Sequence, residues 1–346
     1  MRSTATPAAV WAGMVVLWIV WGTTYLGIAL VVDTIPPFLM AATRFALAGL
    51  ILGVVALIRQ RGALERPTRR QVRDMFIVGA GLVAVGNAFV GVGEQTIPSG
   101  IAAVMVALMP AWVAFFGRVL FRDRLPKAAI AGIVIGIVGV AILAWPAGGT
   151  DGSLDPRGLL ALVLGPIGWS LGSLYAARKA TPVRPSLLAS SLQMLGGAAV
   201  AAVASIVTGE LGRFQPSEVS STSIAAFAYL TLVGSLVGYT TYGWLITVAP
   251  LTRVSTYTYV NPIVAVFLGS VLLSEPITPR TLVAAAVIVV AVALVVTARG
   301  RMPGPPKREP ATEPTVEPVG AAPATEPALS PRRGPSARPA APSSSS

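Results

Sequence analysis

Apolar residues gather in ten long runs between residues 10 and 298. An α-helix needs about 20 apolar residues to cross a hydrocarbon core of about 30 Å, so each run predicts a membrane span. The spans fall at 10–31, 36–58, 74–94, 97–119, 128–146, 157–178, 185–208, 223–247, 253–274 and 279–298. The first follows Arg2 and has the outline of a secretory signal. However, Trp18, Trp21 and Tyr25 stand where a cleavage site needs small residues, and nine spans follow, so it reads as an uncleaved helix.

Charge orients these spans, because Lys and Arg near helix ends are held on the cytoplasmic side. With the N-terminus inside, the inner ends carry fifteen basic residues, including the run Arg59 to Arg73 and the group Arg118, Arg122, Arg124 and Lys127. The outer loops carry three, Arg157, Arg213 and Arg280. Both termini are therefore expected in the cytoplasm, with the chain integral to the plasma (inner) membrane. Topology and contact with anionic lipid account for the net charge of +12, so no nucleic-acid partner is expected. The 54% apolar and 12% charged content does not describe a pair of soluble domains. With no cysteine and no histidine, thiol chemistry, the usual zinc sites and imidazole relays are excluded, and neither a metal nor a cofactor is expected. Residues 299–346 are rich in Pro, Ala and Ser and read as a disordered cytoplasmic tail.

The halves resemble each other. At an offset of 152, Val85, Gly86, Gly91, Pro98, Pro110, Phe115 and Gly117 meet Val237, Gly238, Gly243, Pro250, Pro262, Phe267 and Gly269, with Asp123 opposite Glu275. Near an offset of 148, Trp21 meets Trp169. Two five-helix units, 10–147 and 157–298, explain the pattern. Five is odd, so the second unit enters the membrane upside down relative to the first. The expected fold class is thus an all-α polytopic membrane protein of ten transmembrane helices in two inverted repeats.

Several residues in the spans carry candidate chemistry. Pro110 and Pro262 lie mid-span and free the carbonyls of Val106 and Thr258, as hinges or as kinks that neighbours satisfy. Arg44 is the one basic residue well inside a span, serving substrate or gate, or fixing span two through backbone carbonyls. Asn87, Gly91 and Glu94 share a helical face, with Glu94 either a proton or cation site or a solvated helix-end acid. Pairs at one helical turn, Trp21 with Tyr25, Trp169 with Ser173, Tyr239 with Tyr242 and Tyr257 with Asn261, form faces that can line a cavity for a mostly apolar organic molecule. Helix packing and interfacial belts are the alternative, stronger for Trp11 and Trp18. Gly132, Gly136 and Gly139 in span five read as packing residues.

In order and spacing, Trp21-Gly22-Thr23-Thr24-Tyr25, Ile35-Pro36-Pro37 through Arg44-Phe45, Glu94-Gln95-Thr96-Ile97-Pro98-Ser99-Gly100, Gly168-Trp169-Ser170, Tyr259-Val260-Asn261-Pro262 and Glu275-Pro276 resemble the EamA-type drug/metabolite transporters, in particular their YedA-like exporter branch. The resemblance covers roughly residues 10 to 298. It implies ten helices, a central cavity bounded by both repeats, and efflux of amino acids, metabolites or drug-like compounds.

A secondary transporter working by alternating access is the expected function, with a passive facilitator or a non-transporting scaffold or channel subunit as the alternative. An enzyme is not expected, since no paired carboxylates or activated nucleophile stand at useful spacing. A small-molecule substrate and the bilayer are the expected partners, with homo-oligomer formation left open. Facilitated diffusion is favoured over a coupling that runs through Glu94.

Overall fold

The computed structural model describes residues 5–59, 66–144, 154–184, 186–249, 251–254 and 256–300. The segment beyond Gly300, which holds nearly all of the tail expected to be disordered, lies outside the described residues. Eight helical stretches are long and apolar enough to cross a bilayer: α1 (Pro7–Val32), α2 (Pro37–Arg59), α3 (Arg69–Glu94), α4 (Ser99–Phe121), α6 (Pro156–Arg178), α7 (Ser186–Val207), α8 (Ser221–Leu245) and α10 (Pro279–Ala298). The shorter apolar helices α5 (Lys127–Leu143) and α9 (Tyr257–Leu273) occupy the other two expected spans. No strand occurs among the described residues.

Local chemistry sets where the helices begin. The Thr6 hydroxyl accepts from the Ala9 N–H at 3.3 Å ahead of α1. Thr68 and Gln71 form a reciprocal capping box ahead of α3. Asp155 accepts from the Arg157 N–H at 3.0 Å ahead of α6, a bond that holds its carboxyl below the usual range. Two helix ends match across the halves: Arg122 closes α4 at φ 57° and Ser274 closes α9 at φ 54°, 152 positions apart.

The backbone is irregular at matching places too. Ala80–Asn87 in α3 and Leu230–Val237 in α8 are π-helical, and they stand 150 positions apart. The expectation for the two prolines is met unequally. α4 breaks after Val106 and restarts at Met109 with Pro110 in its first turn, whereas Pro262 sits inside a continuous α9. The two identical residues therefore do not produce two identical kinks. Span nine also starts later than expected, at Tyr257, after a separate short helix Leu251–Val254.

Helices of the two halves pack on one another. α2 lies against α7 and α5 against α10, while α1 packs on α8 and α9, and α6 on α3 and α4. Glycine makes the closest approaches possible. A Cβ on Gly79 would run into the Gln193 carbonyl of α7, and one on Gly197 into the Gly79 carbonyl. In α5, Gly132 and Gly139 meet Ala291 and Ile288 of α10. Large apolar side chains such as Leu50, Val119, Val203, Ile263 and Phe267 are more than half exposed, which suits a surface solvated by lipid rather than water.

Acids tie the ends of these helices to remote segments. The Glu275 carboxylate accepts from the N–H groups of Ser99 and Gly100 at 2.8 and 3.1 Å. Glu210, 5% exposed, accepts from those of Phe38 and Leu39 at 3.3 and 2.8 Å. Asp74 is fully buried and accepts from the Tyr175 hydroxyl at 3.0 Å and the Thr181 N–H at 2.9 Å. Hydropathy places Asp74 and Glu210 at span ends, and both are buried because the other half folds over them. Asp123 is bound by Arg178 at 2.8 Å.

Gly79→Ala is expected to abolish a monodisperse, folded peak in detergent size-exclusion chromatography, since backbone rather than a mobile side chain blocks the new methyl. Gly243→Ala, where nothing stands within 4 Å, is expected to leave melting unchanged or to raise stability by up to about 1 kcal/mol.

Candidate functional site

A cavity of about 90 Å³ lies between helices of both halves. By volume that is room for several waters or a small organic molecule. From the first half α1 brings Trp21 and Tyr25, α2 brings Arg44 and α3 brings Asn87. From the second half α6 brings Trp169, α8 brings Tyr239 and α9 brings Tyr257 and Asn261. Seven of the eight residues singled out as substrate-binding candidates thus border one space. Ser173 is the exception: half-buried one turn beyond Trp169, it is not part of the lining.

The rings form a connected set. Trp21 meets Tyr257 edge-on at 4.9 Å between centroids and Tyr242 at 5.3 Å. Tyr239 joins the two halves, with Trp21 at 6.0 Å on one side and Trp169 at 6.4 Å on the other. Each tryptophan is seated on a glycine of a partner helix. Trp169 lies over Gly86, where an added Cβ would come within 3.0 Å of the ring, and Trp21 lies more tightly over Gly238. Gly86 and Gly238 are 152 positions apart, so one seating motif occurs twice.

Irregular backbone supplies Asn87 to the lining and a partner for Arg44. Asn87, at the end of the π-helical stretch of α3, donates from its amide to the Leu82 carbonyl at 3.2 Å. Ser235, within the π-helical stretch of α8, accepts from Arg44 Nε at 3.0 Å. With its amide nitrogen turned toward main-chain carbonyls, Asn261 donates to Tyr257 at 3.0 Å and to Trp18 at 3.3 Å. Arg44 is 2% exposed, its guanidinium carbon lies 4.7 Å from the Phe45 ring centroid, and no ion pair to it occurs among the described residues.

Three named candidates stand elsewhere. Glu94 is 7% exposed and off the cavity, which overturns its reading as a solvated helix-end acid. The start of the next span and the neighbouring helices cover it, with Tyr25 and Glu275 within electrostatic reach. Pro110 and Pro262 do not border the space, but Val106 and Met109, on either side of the break in α4, do. Pro166 of α6 also lines it and was not singled out. Its signal was present: a proline inside an apolar run flanked by glycine. No group of three His, Cys, Asp or Glu residues able to hold a metal occurs among the described residues.

A bundle of apolar helices with a lipid-type surface, enclosing a ring-lined cavity with a few polar groups, has the build of a multi-pass membrane transport protein. The profile of the EamA-like transporter family matches residues 8–145 and again 156–297, and the chain belongs to that family. It is 36% identical over 291 residues to the uncharacterized inner membrane transporter YedA of Escherichia coli (strain K12), covering 84% of this chain and 91% of that one. An uncharacterized transporter of Archaeoglobus fulgidus is 22% identical over 81% of this chain and 95% of its own. A WAT1-related chloroplastic protein of Arabidopsis thaliana is 25% identical over 82% of this chain and 69% of its own. One solved crystal structure has the same fold, with a TM-score of 0.56 and 23% identity over 85% of this chain and 99% of that one.

Gly238→Ala is expected to displace the Trp21 indole and to shift tryptophan emission to the red, with a smaller shift for Gly86→Ala, where the methyl is only tight. Equal spectra for the parent and both variants would remove the seating argument.

Proposed function

We propose that the chain is a secondary transporter that carries small organic molecules, the metabolites, amino acids and drug-like compounds that the family resemblance implies, out of the cell by alternating access. In this reading all ten helical stretches cross the membrane, the two five-helix units are inverted relative to each other, and both termini are cytoplasmic. The observation that carries it is the paired seating of Trp21 on Gly238 and Trp169 on Gly86, which puts equivalent rings from both halves on one cavity. Further support comes from the π-helical stretches 150 positions apart and from the matched ends at Arg122 and Ser274. A cavity shared by two related units can be exposed to either side by rocking one against the other.

Substrate counterflow in proteoliposomes tests the carrier reading, since a scaffold exchanges nothing. Trp21→Ala and Trp169→Ala are each expected to slow exchange about tenfold, the scale of one lost set of ring contacts, while the protein still inserts. Parent rates in both variants would sink the cavity assignment. The sequence contains no cysteine, so single cysteines on either face report exposure to impermeant thiol reagents without background. A reporter fused after Ser346 that works only outside the cell would sink the topology.

A further inference from the structure

We propose that the cavity selects organic carboxylates, an apolar or aromatic body with one anionic end, and that Arg44 binds that end. The proposal rests on reading the cavity as the transport site. Arg44 sits two turns into α2, buried, and is used by the protein on one edge only: Nε donates to Ser235 and the plane lies on Phe45. Nη1 is buried with no hydrogen-bond partner among the described residues, although the residue borders the cavity. A guanidinium does not shed its charge, and a buried donor without an acceptor is rare in native structures. An arginine placed purely for structure would be expected to bind carbonyls with every nitrogen.

The rest of the lining decides the sign of the ligand. Among the described residues it contains no aspartate or glutamate, so an ammonium group there would meet rings, hydroxyls and amides but no countercharge, beside an existing positive charge. A carboxylate would instead complete the unused edge of Arg44 in the forked geometry that favours this pairing. The Tyr239 hydroxyl, buried in the same lining beside the Asn87 amide and Arg44, can donate to the same group. Trp21 and Trp169 provide faces for the apolar body. That charge balance narrows the proposed substrate range: an amino-acid zwitterion, whose ammonium meets no acid among the described lining residues, is expected to bind more weakly than a simple carboxylate.

Three probes of one shape test this on the full chain in detergent, read by tryptophan fluorescence: phenylacetate, its neutral analogue phenylacetamide, and the cation phenethylamine. Phenylacetate is expected to bind about tenfold more tightly than the amide, with the amine weakest. Arg44→Gln is expected to erase the preference for the acid, and Arg44→Lys to restore part of it. Equal or tighter binding of amide or amine by the parent, or binding of none of the three, overturns the proposal whether or not the variants fold. Counterflow separates it from the carrier reading. Phenylacetate that binds but is never exchanged supports the anion site and sinks the carrier, whereas amide exchanged faster than acid sinks the anion site and leaves the carrier standing.

Discussion

Every backbone N–H and C=O at membrane depth has to find its partner inside the protein, and helix starts are where that demand concentrates. Here acids from distant segments meet it. Glu275 at the end of α9 serves the first turn of α4, Glu210 beyond α7 serves the first turn of α2, and Asp74 in α3 serves Thr181 on the approach to α7. Each bond places a negative group against free N–H donors, and at α2 and α4 the positive end of the helix dipole adds to it. The same bonds join elements far apart in sequence. Satisfying the backbone and assembling the bundle are one operation.

That constraint also bears on the irregular backbone beside the cavity. A regular helix uses its own carbonyls and offers none, so an interior built from regular helices would be polar only through side chains. The π-helical stretches and the break in α4 relax this where the wall faces other protein or open space rather than lipid. Asn87 takes up a carbonyl inside one π-helical stretch, and Ser235 of the other holds Arg44. The second π-helical stretch thereby gives the buried Arg44 a hydrogen-bond partner in an apolar bundle.

Much of this was legible in the sequence because it depends on length, composition and spacing. The apolar runs mark the helical stretches, and the constant offset finds Gly86 with Gly238 before any contact is known. One-turn spacing of aromatic and amide residues marks most of the lining. What was not legible depends on neighbours that local sequence does not name. Hydropathy is the same for a π-helical and an α-helical stretch, so neither irregular segment has a signature. Asp74, Glu94 and Glu210 stand near span ends, where an isolated helix would expose them, and packing against remote segments buries them. Ser173 shows the reverse error, a correct spacing one turn beyond the lining.

Pro110 and Pro262 carry the remaining argument. Equivalent residues in related units would behave alike if the molecule were symmetric, yet one breaks its helix and the other does not. Local sequence differs there, since Ala107 and Leu108 form the break while their equivalents Tyr259 and Val260 lie in the continuous helix. On the alternating-access reading, a difference of this kind is required. A cavity exposed to one side at a time cannot be bounded by two units in the same conformation, and the units exchange conformations when access switches. Proline suits that exchange, because the missing N–H means that no hydrogen bond at that position has to break when the helix opens or closes. The break in α4 and the unbroken α9 show that a proline at this repeated position is compatible with both an interrupted and a continuous helix.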